Sequence, residues 1–362
     1  TSRAVTTPNN DTLYSHAFVA TTKGPVELEI PDCGARYLSV QVMDMYTRND
    51  FVLGPRTPGG AAGTWRLVSP DAEPRDVRDL RLDTPHAWLI ARIIADGKTD
   101  LSAAHAIQDR LLLRGPAVPP PMAMANPGSD WPTYFAAAQR LLDSDPPRFK
   151  RGLGAFVAVR DGGRSRDFAR AGYTDEAAAA INAGVADAAA TLQLSGRRQA
   201  FVDGWSYPRR DLGEYGDDFA FRAIVATTGL GALNPGEAMY MRSAGDGHGL
   251  FEGDGLYRLS LTEPIPVDAF WSLTMYEALP DGHFFLAENA LNRYAIGDRT
   301  GLVGGPGGAL DIWIGRSDPG GARTANWLPA PRQRPFMLTL RAYLPRAELL
   351  RGTYRLPALV RV

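Results

Sequence analysis

A chain of 362 residues is more than one ordinary hydrophobic core organises, so two domains are the starting expectation. Hydrophobic residues at 44% and charged residues at 22% are the proportions of a soluble globular protein, not of a disordered or fibrous one. With 39 Lys and Arg against 40 Asp and Glu, no basic excess is present to grip a nucleic-acid backbone, and no run reaches the roughly eighteen apolar residues of a membrane helix.

The first third reads as β. In "VELEI" Val26, Leu28 and Ile30 share one face, and in "YLSVQVMD" Leu38, Val40 and Val42 do the same. The same parity turns Asp44 onto the apolar face, where a carboxylate needs a partner. "TWRLVSP" and "AWLIARIIA" are further strands, the second apolar enough to be covered on both faces. Cys33 excludes an internal disulfide and reads as a small buried side chain.

The texture changes at Thr99. "TDLSAAHAIQDRLLL" has a threonine in capping position followed by helical spacing. Residues 116–128 form a proline-rich connector. "DWPTYFAAAQRLL", the alanine-rich "TDEAAAAINAGVADAAATLQL" and "GDDFAFRAIVATTGLG" predict helices, the second with Ile181, Val185 and Leu192 on one face and the third closed by Gly229 or Gly231. After Gly231 the pattern returns to period two in "LYRLSLT", "FWSLTMYEA", "LDIWIG" and "FMLTLRAYL". The expected organisation is an N-terminal β-sandwich over 1–98, a helical segment over 99–231 and a C-terminal jelly-roll-like domain over 232–362. The fold class is therefore α+β, mostly β, with antiparallel sandwich units bridged by helices.

Familiar catalytic signatures are missing: no G-x-S-x-G, no phosphate-binding G-x-x-x-x-G-K-[ST] and no H-E-x-x-H. The five histidines are scattered. His86 and His105 read as structural, His248 sits in a turn that fails the calcium-loop template, and His283 interrupts an apolar run.

What stands out is a series of polar-aromatic clusters: "PNNDTLY", "MDMYTRND", "YGDDFAFRA", "FWSLTMYEA", "ENALNRYAIGDRT" and "ANWLPAP". The stretches "TTPNNDTLYS", "GPVELEIPD" and "RYLSVQVMDMYTRN", followed in order by "FWSLTMYE", "LNRYAIGDRT" and "NWLPAPRQRPFMLTLRAYLP", resemble a bacterial two-domain family known only as domains of unknown function 1254 and 1214. The resemblance implies two β-sandwich units with helices between them. It implies no mechanism. Family members usually carry residues ahead of the P-N-N-D-T stretch. This chain opens at Thr1 without a charged-then-apolar leader, which points either to a removed leader or to a start inside a longer protein, so bacterial cytoplasm and periplasm or secretion both stay open.

A brace for one loop needs one or two amides or carboxylates, and "PNNDTLY" has more. The surplus points to an inter-domain cavity that binds a polar small molecule or glycan. Asp11, Tyr14, Asp44 and Arg293 are the candidate catalytic groups of a hydrolase or lyase. Asn9, Asn10, Tyr46, Asn49, Arg222, Tyr276, Tyr294 and Trp327 are the candidate binding groups. No cofactor and no protein metal site is expected, though a divalent metal and a homo-oligomer stay open. The competing reading is a non-catalytic carbohydrate-binding or envelope-associated protein, which would show an open groove with exposed tryptophan instead of a carboxylate with a raised pKa.

Overall fold

The computed structural model describes residues 6–117, 124–126, 128–148, 153–163, 167–197, 200–246, 249–252 and 254–362. His248 and part of the proline-rich connector lie outside them. The fold is mostly β, in two sandwich units with helices attached. In the first unit the strands Thr12–Ala20, His86–Ile94, Leu38–Asp44 and Asn49–Leu53 form one sheet in that order. The facing sheet runs Asp79–Arg81, Gly63–Val68, Val26–Ile30 and Leu112–Arg114. Val40, Val42, Leu89 and Ile93 from one sheet meet Leu28, Trp65 and Leu67 from the other, which is the alternation seen in the sequence turned into a core.

The second unit pairs a six-stranded sheet, centred on Val267–Ala278 and Phe336–Pro345, with a four-stranded sheet containing Tyr257–Leu261 and Leu310–Gly315. Its core joins Leu273, Met275, Leu338 and Leu340 to Leu259 and Ile312. Among the described residues pairing is antiparallel except at two places, Gly63–Val68 with Asp79–Arg81 and Leu310–Gly315 with Trp327–Pro329. Parallel neighbours cannot be joined by a tight turn, so residues 69–78 travel over the surface between the first pair.

The helical segment differs from the expectation at its start. Helix Leu101–Gln108 sends Ala104 and Ile107 into the first core, and "LLR" is a strand on Val26–Ile30, not a continuation of the helix. Thr99 caps nothing; it lies inside a 3-10 turn, and the Asp100 carboxylate beside it is held at 2.6 Å by both Nη atoms of Arg36. Farther on, Trp131–Ser144 and Asp175–Arg197 enclose a small separate core of Trp131, Phe168, Tyr173 and Ala178. Ile181 joins that core, whereas Val185 is exposed. Helix Phe219–Thr228 ends at Gly229 as its sequence predicts. Cys33 is only partly buried, and its thiol donates to the Arg36 carbonyl oxygen at 3.1 Å.

Strand Leu38–Asp44 is buried on both faces. Its polar face, Ser39 and Gln41, is closed by the second unit and by the loop after the Phe219–Thr228 helix, where the Gly231 and Ala232 carbonyls accept from Arg92 and from Gln41 and Asn49. Gly213 lies against this corner with φ +88°, and a Cβ there would fall 2.5 Å from Asn49 Nδ2 and 2.8 Å from Asn234 Oδ1. Gly213→Ala is therefore expected to cost about 1–3 kcal/mol, read as a lower urea midpoint. An unchanged midpoint would show that this corner yields freely.

Candidate functional site

Two polar assemblies are built on the His86–Ile94 sheet, one at each end. The first is the seam between the units, and it contains "PNNDTLY". Asn9 Nδ2 donates to the hydroxyls of Thr12 at 3.1 Å, Tyr14 at 3.1 Å and Tyr343 at 2.8 Å, while its Oδ1 accepts from the Asp11 amide. Asp11 Oδ2 accepts from Ser272 Oγ at 2.6 Å. Tyr276, wholly buried, donates to the Pro8 carbonyl oxygen at 2.8 Å and accepts from Arg341 Nη2 at 2.5 Å. Arg341 Nη1 donates to Thr274 Oγ1 at 2.8 Å. Ser272, Thr274 and Tyr276 share one strand face, as the sequence requires, and that face is the wall of the seam.

Burial pushes the Asp11 carboxyl above its ordinary pKa against the pull of Arg341 and the Ser272 bond. At Tyr14 desolvation of the hydroxyl also pushes upward, but Arg92, the Asn9 bond and Arg341 outweigh it and hold the phenol below its ordinary value. The Tyr14 ring is 46% exposed and lies 5.3 Å from the Arg92 guanidinium. Asn10 is exposed. The motif is thus a stitch between the halves, with Asn9, Asp11 and Pro8 each bonded to a residue more than 250 positions away.

Asp44 is not part of it. Thr12 lies opposite Ile94 and Asp44 opposite Ala87 on the same strand, a separation of about 23 Å at strand spacing. Arg293 is elsewhere too, its Nη1 donating to the carbonyl oxygens of Ala325 at 3.1 Å and Trp327 at 2.8 Å to brace that loop. Trp327 donates to the Gly315 carbonyl oxygen and is partly buried in a sheet edge, and among the described residues the Tyr294 hydroxyl reaches Asn292 alone, at 3.4 Å. Asn49 is sealed by Gln41, Ala232 and Asn234.

The second assembly surrounds Asp44 at the opposite end. Asp44 is 6% exposed, so strand parity does turn it inward. Its Oδ1 accepts from the amides of Tyr46 and Arg48 at 2.8 Å each, which closes the hairpin turn that follows the strand. Within 4.8 Å of one another lie oxygens of Asp44, Asp50 and Asp83. Arg48 and Arg148 pair with the two oxygens of Asp83, Arg148 at 2.7 Å. Asp50 Oδ2 accepts from the Asp83 amide at 2.8 Å, and its Oδ1 is sealed from solvent with no hydrogen-bond partner among the described residues. A divalent cation would have to displace arginine from Asp83 to use this set.

Helical residues complete the surroundings. Tyr46 donates to the Asp145 carbonyl oxygen at 2.6 Å, the Asp145 carboxylate lies 3.0 Å from His86 Nδ1, and Arg222 donates to the Tyr46 carbonyl oxygen at 3.1 Å. Desolvation raises Asp50 to about 7, with Asp44 and Asp83 adding to it, and raises Asp44 to about 6 against two backbone bonds and Arg222. Asp50 and Asp83, together with Arg48, Arg81 and Arg148, line a cleft of about 350 Å³. Asp50, Asp83 and Arg148 were not among the residues expected from sequence. Asp50 lay inside the "MDMYTRND" cluster, but nothing in "RLDTPH" connects Asp83 to it. Arg92 and Arg341 carried a usable signal, an arginine inside a strand of apolar residues.

The family description "Protein of unknown function (DUF1254)" matches residues 1–115, and "Protein of unknown function (DUF1214)" matches residues 237–347. No curated protein gives a match. Among solved structures the chain is similar to the VPA0106 protein from Vibrio parahaemolyticus at 24% identity and TM-score 0.72, covering 98% of this chain and 90% of that one. It is also similar to a putative uncharacterized protein from Burkholderia cenocepacia at 14% identity and TM-score 0.50, covering 98% and 77%. These likenesses establish the fold. No helix among the described residues is long and apolar enough to cross a membrane.

Two stability measurements follow. Arg341→Ala strips the buried Asp11 of its cation and Tyr276 of its donor, so it should cost about 3–5 kcal/mol in chemical denaturation; a loss under about 1 kcal/mol would mean the seam is not held by charge. Because Asp44 and Asp50 titrate higher when folded, these two groups take up protons on folding. The stability they lend is whole below about pH 4 and disappears as pH rises through about 6 and 7. Asp50→Asn should flatten the fall in urea midpoint between pH 5 and pH 8; parallel curves for both proteins would contradict these assignments.

Proposed function

We propose, for a chain that belongs to the two-domain DUF1254–DUF1214 family, that the cleft at Asp50 and Asp83 is the active site of a hydrolase or lyase acting on a polar ligand. The observation that carries this reading is the contrast between two neighbouring carboxyls. Asp50, desolvated and with one oxygen unbonded, keeps its proton up to about pH 7, whereas both oxygens of Asp83 are paired with arginines. A carboxyl whose pKa is raised by its environment, set beside one held in arginine pairs, is suited to be the acid of such a site.

In this reading Asp50 is the general acid. It lines the cleft and, once ligand binding uncovers its sealed Oδ1, donates a proton to the leaving oxygen as the C–O bond of the ligand breaks. Asp83 is the charged partner, and it stabilises positive charge developing on the carbon side or orients the group that attacks it. Arg81 and Arg148, which line the same cleft, orient the ligand through its oxygens. Asp44 is a positioning residue: it fixes the hairpin that carries Arg48 and Asp50, and its charge helps keep the Asp50 proton in place.

Tyr14 and Asp11 have no part in this chemistry because they lie at the other end of the sheet. A carbohydrate-binding module would present Trp327 openly, and that ring is instead partly buried with its indole N–H satisfied.

The test is turnover on a panel of aryl glycosides and oligosaccharides. The wild type is expected to release product at a rate that falls as pH passes about 7, and Asp50→Asn to lower that rate about 100- to 10,000-fold. Equal rates for the two proteins, or no turnover across the panel, would count against the reading.

A further inference from the structure

The Asp50 cleft has a neighbour. A second cleft, of about 290 Å³, adjoins the first, and Asp79 lines both. What divides them is the segment that parallel pairing forces to run over the surface between Gly63–Val68 and Asp79–Arg81. Pro74 of that segment lines the first cleft, and Glu73 and Arg75 line the second.

We propose that the two clefts form one groove for an acidic oligosaccharide, a chain of sugar rings bearing carboxylates, with the Arg75 cleft as a subsite beyond the reacting bond. This deepens the reading above and rests on it only for which bond is cut.

Charge is the first argument. Five arginines line the two clefts, Arg48, Arg66, Arg75, Arg81 and Arg148, against the four carboxyl groups of Asp50, Glu73, Asp79 and Asp83. Those carboxyls, with Glu214 at 3.3 Å from Arg48, pair four of the arginines and leave Arg75 over. Asp79 is held by Arg66 at 2.9 Å, Asp83 is taken by Arg48 and Arg148, and Glu73 is 91% exposed and 3.8 Å from Arg81. Arg75 has no ion pair among the described residues, and its backbone amide is fixed to Asp79 Oδ2 at 2.9 Å, so the guanidinium is presented from an anchored loop. Asp50 contributes no full charge at neutral pH. The groove is left with a cationic surplus.

Shape and spacing are the second. The first cleft alone matches the lower end of the volumes that hold one small ligand, and the second, which shares Asp79 with it, adds room on the other side of the 69–78 segment, so a ligand filling both is a chain that crosses that segment. Arginines interleaved with carboxylates suit a chain that alternates anionic groups with hydroxyls, because guanidinium forks pair with planar carboxylates and the acids accept from hydroxyls. A densely charged polyphosphate would meet repulsion from the exposed Glu73.

The experiment is calorimetric titration of the whole chain, as Asp50→Asn to prevent turnover, with three probes: the trimer of galacturonate, monomeric galacturonate and neutral maltotriose. The trimer should bind at least about tenfold more tightly than the monomer and more tightly than maltotriose, and Arg75→Gln should erase about tenfold of that preference. Arg351→Gln, which removes the same charge from a surface helix of the second unit, should leave it intact. Equal affinities for trimer and monomer, no binding of the trimer, or no effect of Arg75→Gln would overturn the proposal. The two readings fail separately. If the trimer binds with the predicted Arg75 dependence but the wild type never cleaves it, the groove stands and the proton-transfer reading falls. If the wild type turns over monomeric glycosides but Arg75→Gln leaves the trimer preference unchanged, the groove falls and the chemistry stands.

Discussion

Two guanidinium groups, Arg92 and Arg341, are buried where the sandwich units meet, at 3% and 5% exposure. A buried cation is tolerated only if its donors find acceptors, and that requirement organises the seam. Arg92 is answered by Gln41 Oε1 at 2.7 Å and by the Gly231 carbonyl oxygen at 2.6 Å, and Arg341 by Thr274 and Tyr276. Gln41 belongs to the unit of Arg92, and Thr274 and Tyr276 to that of Arg341, but Arg92 also needs Gly231 from the helical segment and Arg341 reaches across the seam to the Thr7 carbonyl oxygen at 3.4 Å. The dense polar motifs of both halves are the two sides of one hydrogen-bonded interface.

The same strand that carries Arg92 near one end carries His86 and Ala87 at the other, beside Asp44 and Asp145. Fixing the sheet at the seam therefore also fixes the frame on which the carboxylate cluster is mounted. The cluster in turn gathers three modules: Asp44 and Asp50 from adjacent strands, Asp83 from the connection into His86–Ile94, and Arg148, Asp145 and Arg222 from the helical segment. Its chemistry comes from unequal shares of arginine. Asp83 has two paired to it, Asp44 has two backbone amides and the pull of Arg222, and Asp50 has a single amide and the weaker pull of Arg48. The carboxyl with the least support is the one that keeps its proton.

Period-two alternation was enough to place both sandwiches, because one buried face leaves a plain imprint on sequence. It was also enough to turn Asp44 inward. It failed for "LLR" after Gln108, where three residues are too few to reveal a period, and the strand exists because Val26–Ile30 offers it an open edge. Recognition of "PNNDTLY" as unusual was correct, but its partners Ser272, Tyr276, Tyr343 and Arg341 are set by how two units dock, which no local pattern encodes. The grouping of Asp44 with Asp11 was wrong for the same reason: both are carboxylates on one sheet, and only register shows that they stand at opposite ends. Asp83 and Arg148 were illegible because their role depends on loops meeting in space. Arg92 was legible in principle, since a charge inside "AWLIARIIA" obeys the logic that singled out Asp44.

The central claim is that Asp50 is a proton-holding acid beside an arginine-paired Asp83. Carbon-13 NMR of the side-chain carboxyls, assigned by Asp50→Asn, reads that state directly. The account predicts a protonated Asp50 signal that titrates with a midpoint about 7, well above the ordinary aspartate value near ~4. A midpoint for Asp50 in the ordinary range, with the carboxylate already ionised at pH 6, would contradict it.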